Sequence, residues 1–122
     1  MDTERSLVYE KAESFSVRIV KLNKYLTVEK REFEISSQIK RSGTSIAANI
    51  VEALYAESKK DFIHKLNIAE KECNETKYWL KVLYKTEYLN RVEYESIIKD
   101  CMELVRMLAA IIRTSKGNLQ HS

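Results

Sequence analysis

Apolar residues recur along this chain at helical spacing in four successive stretches. Val8, Ala12, Phe15, Ile19, Leu22 and Leu26 step by four and three, which places them on one face and predicts a first helix over about residues 6–26. Thr27 is the expected N-cap of a second helix, with Glu29 in its first turn. Ile35, Ile39, Ser42, Ile46, Asn49 or Ile50, and Ala53 keep the same period, so helix two is expected over about 28–55. Ser58-Lys59-Lys60-Asp61 then reads as a capping box. Phe62, Leu66, Ala69, Cys73, Thr76, Leu80 and Leu83 carry a third helix over about 59–86, with Tyr78 and Trp79 flanking its seam. Asn90-Arg91-Val92-Glu93 opens a fourth over about 91–116, with Gly117 as its expected stop and residues 118–122 as a frayed tail. Four amphipathic helices on short loops pack most simply as an all-α, antiparallel up-down-up-down four-helix bundle, one domain over 1–117.

Helix two departs from the simple pattern. Ser42-Gly43-Thr44-Ser45 is a weak point, because Gly costs about 1 kcal/mol against Ala in a helix. A break there, with Ser42 or Thr44 capping a new helix, would shift the apolar register; the register survives, so one long helix is expected. Its small residues would let another helix approach closely. Arg41, Ser45, Asn49 and Glu52 fall within about 80° of one another and make one polar strip. The rest of the segment, including Ala47 and Val51, is apolar or small. A helix apolar nearly all round is buried on more than one side, and in a short chain the second side is expected to face another copy. The strip reads first as a hydrogen-bond and ion-pair network fixing helix register or subunit orientation. Ligand or nucleic-acid contact comes second, and catalysis last.

Composition narrows the picture. With 122 residues, no proline and two glycines, the chain suits a single domain of long helices. No apolar run reaches the 18 or so residues of a membrane span, and the N-terminus lacks a signal-like apolar segment, so a cytoplasmic location is expected. Cys73 and Cys101 sit in core phase and read as buried free thiols rather than a disulfide. His64 is the one histidine inside a predicted helix, and a single Asp61-x-x-His64 does not make a di-metal bundle site. No glycine-rich phosphate loop is present. The expectation is a non-enzyme with no metal, no cofactor and no small-molecule substrate.

A net charge of +3, from 21 Lys and Arg against 18 Asp and Glu, leaves nucleic-acid binding to local clustering. Lys59 and Lys60 occupy the first turn of helix three, where the dipole disfavours cations and exposed amides favour an anion. A phosphate would relieve that repulsion. Lys65 follows about a turn later, and Lys99, Arg106 and Arg113 lie seven apart on the outer face of helix four. Such stripes usually serve solubility, but repetition around an oligomer would make phosphate contact multivalent and salt dependent.

The segment Ser45-Ile46-Ala47-Ala48-Asn49-Ile50-Val51-Glu52 closely resembles the Ser-Ile-x-x-Asn-Ile-x-Glu signature of the four-helix-bundle proteins encoded within intervening sequences of bacterial 23S ribosomal RNA genes. The likeness extends to Gln38, Arg41, Ser58 to Phe62, Ala69, Glu75 and Tyr88-Leu89. Ala47 and Ala53 stand where the family commonly has Pro and Gly, and Glu87 stands where it tends to have Gly. The resemblance implies a closed ring of subunits, a homopentamer, with no established activity. Its implied relatives include the accessory protein of diversity-generating retroelements, which acts beside a reverse transcriptase. RNA or DNA, together with a nucleic-acid enzyme, is thereby the leading partner class. The alternative is a protein-protein scaffold docking partners on the ring face or on Tyr78 and Tyr84.

Overall fold

The computed structural model describes residues 3–121, which form four helices and, among the described residues, no strand: α1 (Thr3–Val28), α2 (Glu34–Leu54), α3 (Lys59–Lys85) and α4 (Arg91–His121). α1 packs on α2 and α4, and α3 packs on α2 and α4, so the apolar faces meet in one core. Phe15, Ile19 and Leu26 from α1 meet Ile39, Ile46 and Ile50 from α2 there, with Leu66, Leu80 and Leu83 of α3 and Leu104 and Leu108 of α4. Each such buried side chain contributes roughly 1.5–3 kcal/mol relative to exposure. No helix among the described residues is long and apolar enough to cross a membrane.

The start of α2 differs from the expectation. Thr27 does not cap a helix; it lies within α1, and its hydroxyl donates back to the carbonyl of Asn23 at 2.9 Å. Glu29 falls in the connection, where its N–H donates to the Tyr25 carbonyl. Arg31 turns the chain in the left-handed region at φ 54°. α2 begins six residues after α1 ends, at Glu34, because the Glu32 carboxylate reaches forward to accept from the N–H groups of Ile35 (3.1 Å) and Ser36 (2.7 Å). A carboxylate on those orphan donors also complements the helix dipole.

From there α2 runs unbroken through Ser42-Gly43-Thr44-Ser45. A Cβ at Gly43 would lie 2.8 Å from two carbons of Ile19, so the glycine is what lets α1 approach. On the neighbouring side, the buried Ser42 and Thr76 hydroxyls share a 2.8 Å hydrogen bond between α2 and α3.

α3 ends in a Schellman turn. The N–H of Tyr88 donates to the carbonyl of Leu83 at 2.9 Å and that of Glu87 to Tyr84 at 3.1 Å, with Glu87 at φ 69°. Glu87 therefore occupies the left-handed position that glycine takes in the family pattern. The Asn90–Glu93 capping box is reciprocal, both bonds being 2.8 Å. Gly117 does not stop α4, which continues to His121; Gly117 has no positive φ and cannot form a left-handed cap. Residues 118–121 are thus helical rather than a frayed tail, and Ser122 lies outside the described residues.

Candidate nucleic-acid interface

The α2–α3 corner is built by two helix ends. α2 closes with Tyr55, whose N–H donates to the Glu52 carbonyl at 3.2 Å, and Ser58 takes an extended backbone at φ −142°. The Ser58 hydroxyl accepts from the N–H of Asp61 at 3.0 Å, which fixes the first turn of α3 and sets Lys59 and Lys60 side by side in solvent. Neither lysine forms an ion pair among the described residues. Beside them a shallow cleft of about 290 Å3 is lined by Arg5, Ala53, Ser58, Lys59 and Phe62. The Arg5 guanidinium lies 4.1 Å above the centre of the Phe62 ring. Tyr55 is 83% exposed at this corner. Exposed rings and exposed cations are the groups that stack a base and hold its phosphate.

The six basic candidates are carried by two helices, α3 and α4. Lys65 belongs to the α2–α3 seam, half-buried and 3.8 Å from Glu52. Lys99, Arg106 and Arg113 are exposed along α4, turned away from its core residues Cys101, Leu104 and Leu108.

The polar strip of α2 is engaged within the chain. Arg41 grips Glu75 of α3 through two bonds of 2.6 and 2.8 Å, with Glu72 3.6 Å away. Ser45 donates to the carbonyl of Arg41 at 2.7 Å, and Asn49 to that of Ser45 at 2.9 Å. Burial and the neighbouring Glu75 push the Glu72 carboxyl above its usual range. Burial also pushes Glu75 up, but the bonds and charge of Arg41 outweigh it and hold that carboxyl below its usual range. The strip therefore ties α2 to α3. Ala47 is half-buried and Val51 is 36% exposed, on the flank away from the strip.

Neither thiol is set up as a nucleophile. Cys101 donates to the carbonyl of Cys73 at 3.4 Å, both cysteines are free and buried, and burial pushes the Cys101 thiol up to about 12. Cys73 is raised by the same cause. His64 is exposed, and no group of three His, Cys, Asp or Glu able to hold a metal occurs among the described residues. Tyr84 is not an open docking ring, because it stacks on Tyr94 with centroids 4.5 Å apart.

Residues 4–110 match the family model for the 23S rRNA-intervening sequence protein. The chain belongs to that family. It is also similar to a crystal structure from Bacteroides thetaiotaomicron, of a protein with unknown function from the S23 ribosomal protein family. The two share 53% identity over 91% of this chain and 99% of that one, with a TM-score of 0.90. No match is found among the curated proteins compared. Tyr55 is an exposed aromatic of this corner that no motif marks. Its signal was the helical phase, nine residues and about 180° from the buried Ile46.

Proposed function

We propose that the chain is a non-catalytic, cytoplasmic, up-down-up-down bundle that assembles into a homo-oligomeric ring, a pentamer by family resemblance. The ring binds structured RNA, or an enzyme complex carrying nucleic acid, through basic patches repeated on each subunit. The observation that carries this reading is the α2–α3 corner, where Lys59 and Lys60, exposed and without an ion pair among the described residues, follow within a few residues of the exposed Tyr55. The family's name, tied to intervening sequences of 23S rRNA, keeps RNA first among partner classes. The up-down order is supported by pairs whose numbers fall on one helix as they rise on the other, Lys11–Glu103 with Arg18–Asp100 and Arg41–Glu75 with Glu52–Lys65.

Lys59→Glu combined with Lys60→Glu is expected to weaken binding of a structured RNA at least tenfold at low salt, with helicity and mass unchanged. Absence of RNA binding by the unmodified protein at low salt defeats the reading. Assembly has a separate test. Val51→Glu on the apolar flank of α2 should reduce the mass in light scattering to that of one chain, and an unchanged mass removes this flank from the interface. The exposed ring of Tyr78 favours a second reading, a protein scaffold. A partner that stays bound after nuclease and high salt would support it over RNA.

A further inference from the structure

A second aromatic site stands where α2 begins. A cleft of about 560 Å3 is lined by Phe33, Glu34, Ile35, Ser37, Gln38 and Trp79. That is within the range of small-ligand pockets. Phe33 is 54% exposed although it is a large apolar ring, and it sits in the connection rather than in a helix, where packing would have hidden it. The left-handed turn at Arg31 folds that guanidinium back to 5.6 Å from the Phe33 ring centre. Lys30, the residue before it, lies 5.7 Å from the ring of Tyr25. Trp79 comes from α3 and is braced edge-on by Tyr78, with centroids 5.1 Å apart. Its Nε1 is buried near the Glu75 carboxylate, whose pKa it helps to lower.

Glu34, Ser37 and Gln38 lie on one face of α2, at spacings of three and four residues. None of their side chains makes a hydrogen bond or ion pair among the described residues. The cleft thus combines two aromatic walls, a row of acceptors and donors unused among the described residues, and the Arg31 cation at the Phe33 ring. Each of these is a feature by which proteins hold a splayed-out base.

We infer that the Phe33–Trp79 cleft takes one unpaired nucleobase of single-stranded or looped RNA, which deepens the RNA-binding reading above and rests on it. The base stacks on Phe33 with Trp79 as the opposite wall. Glu34 accepts hydrogen bonds only, while Gln38 can accept and donate, so the edge they read best carries an exocyclic amino group, as in adenine or cytosine. Arg31, at the Phe33 ring, meets the adjoining phosphate. Glu34 is matched to the base edge and would oppose a phosphate, which fixes the orientation of the strand.

Trp79 is the only tryptophan in the chain, so its emission reports this cleft alone. Short oligo(A) and oligo(C) titrated into the full chain at low salt are expected to quench it. Oligo(U) should bind severalfold more weakly, and a duplex RNA of the same length should leave the emission unchanged. Phe33→Ala, at an exposed position that preserves the helices, should weaken oligo(A) binding roughly tenfold. Lys59→Glu with Lys60→Glu should leave the quench at saturation intact. Labelled oligo(A) that binds without quenching Trp79, or with equal affinity in Phe33→Ala, overturns the cleft and leaves RNA binding standing. Equal quenching by the duplex also overturns it. Equal binding of oligo(U) overturns the edge reading by Glu34 and Gln38. Failure of every RNA to bind removes both proposals.

Discussion

The α2–α3 and α1–α4 seams are built in opposite ways. Between α2 and α3 the facing positions are small and buried, with Ser42 against Thr76, and their hydroxyls satisfy each other at 2.8 Å. Ion pairs close the flank, Arg41 with Glu75 and Glu72, and Lys65 with Glu52. Between α1 and α4 the helices meet least extensively and are bridged by long side chains. Lys11 reaches Glu103 at 2.8 Å, and Arg18 reaches Asp100 at 2.7 Å and Ser96 through two further bonds. Clefts of about 560 and 290 Å3 remain along that seam, and Val92 beside the larger one is 77% exposed. Short side chains bring backbones together and fix register, whereas long charged ones span a gap without filling it. The family motif lies on the tight seam, so it marks where the bundle is most constrained. The candidate base-binding and phosphate-binding groups sit beyond either end of it, at Phe33 and at Lys59.

One substitution made at both seams separates them most sharply. Ser42→Leu places a bulky chain at a fully buried position facing Thr76. It should cost about 1–3 kcal/mol in urea denaturation, the range of core overpacking. Ser14→Leu puts the same side chain into the smaller α1–α4 cleft, where the space is open. Its effect should stay within about 0.5 kcal/mol of zero, as for surface positions. Equal costs at the two sites would mean that the open seam is closed in solution, by a subunit or by rearrangement, and the contrast would fail.

The four helices were legible because their core residues keep a strict three-and-four period, and both capping-box ends were legible because the capping residue types stand at fixed offsets. The start of α2 was not. Thr27 has the right chemistry for a cap, but inside a continuing helix that hydroxyl bonds back to Asn23, and the cap is supplied by Glu32, a type with no cap preference. Phe33 was illegible for the same reason, since a cap at Thr27 would place it inside a helix, whereas it stands in the connection. Glu87 concealed a turn in the opposite sense. It adopts the left-handed conformation at a cost of about 1–2 kcal/mol, so the stop persists without the glycine that announces it. In the polar strip, Arg41 was identifiable, yet its partners Glu72 and Glu75 depend on the register of α3 against α2, which no local pattern encodes.

Arg41 provides the finer test of the tight seam, because its effect should depend on pH. The folded-state pKa of Glu75 is held below the usual glutamate value of 4.5 by Arg41. That stabilisation is present above the unfolded pKa and is lost as pH falls through the folded one. Glu72 carries the opposite shift, raised by burial and by Glu75, so ionising it opposes folding and acid relieves it. Arg41→Ala removes the cation and leaves two carboxylates facing each other on α3. The variant should be less stable than the parent near neutral pH, by less than the loss at Ser42→Leu. The gap should narrow as the pH falls through the region where Glu75 takes up its proton. Urea midpoints for both proteins, compared at about pH 7 and about pH 3.5, read this directly. A gap that stays constant between them would show that Arg41 does not hold Glu75 ionised.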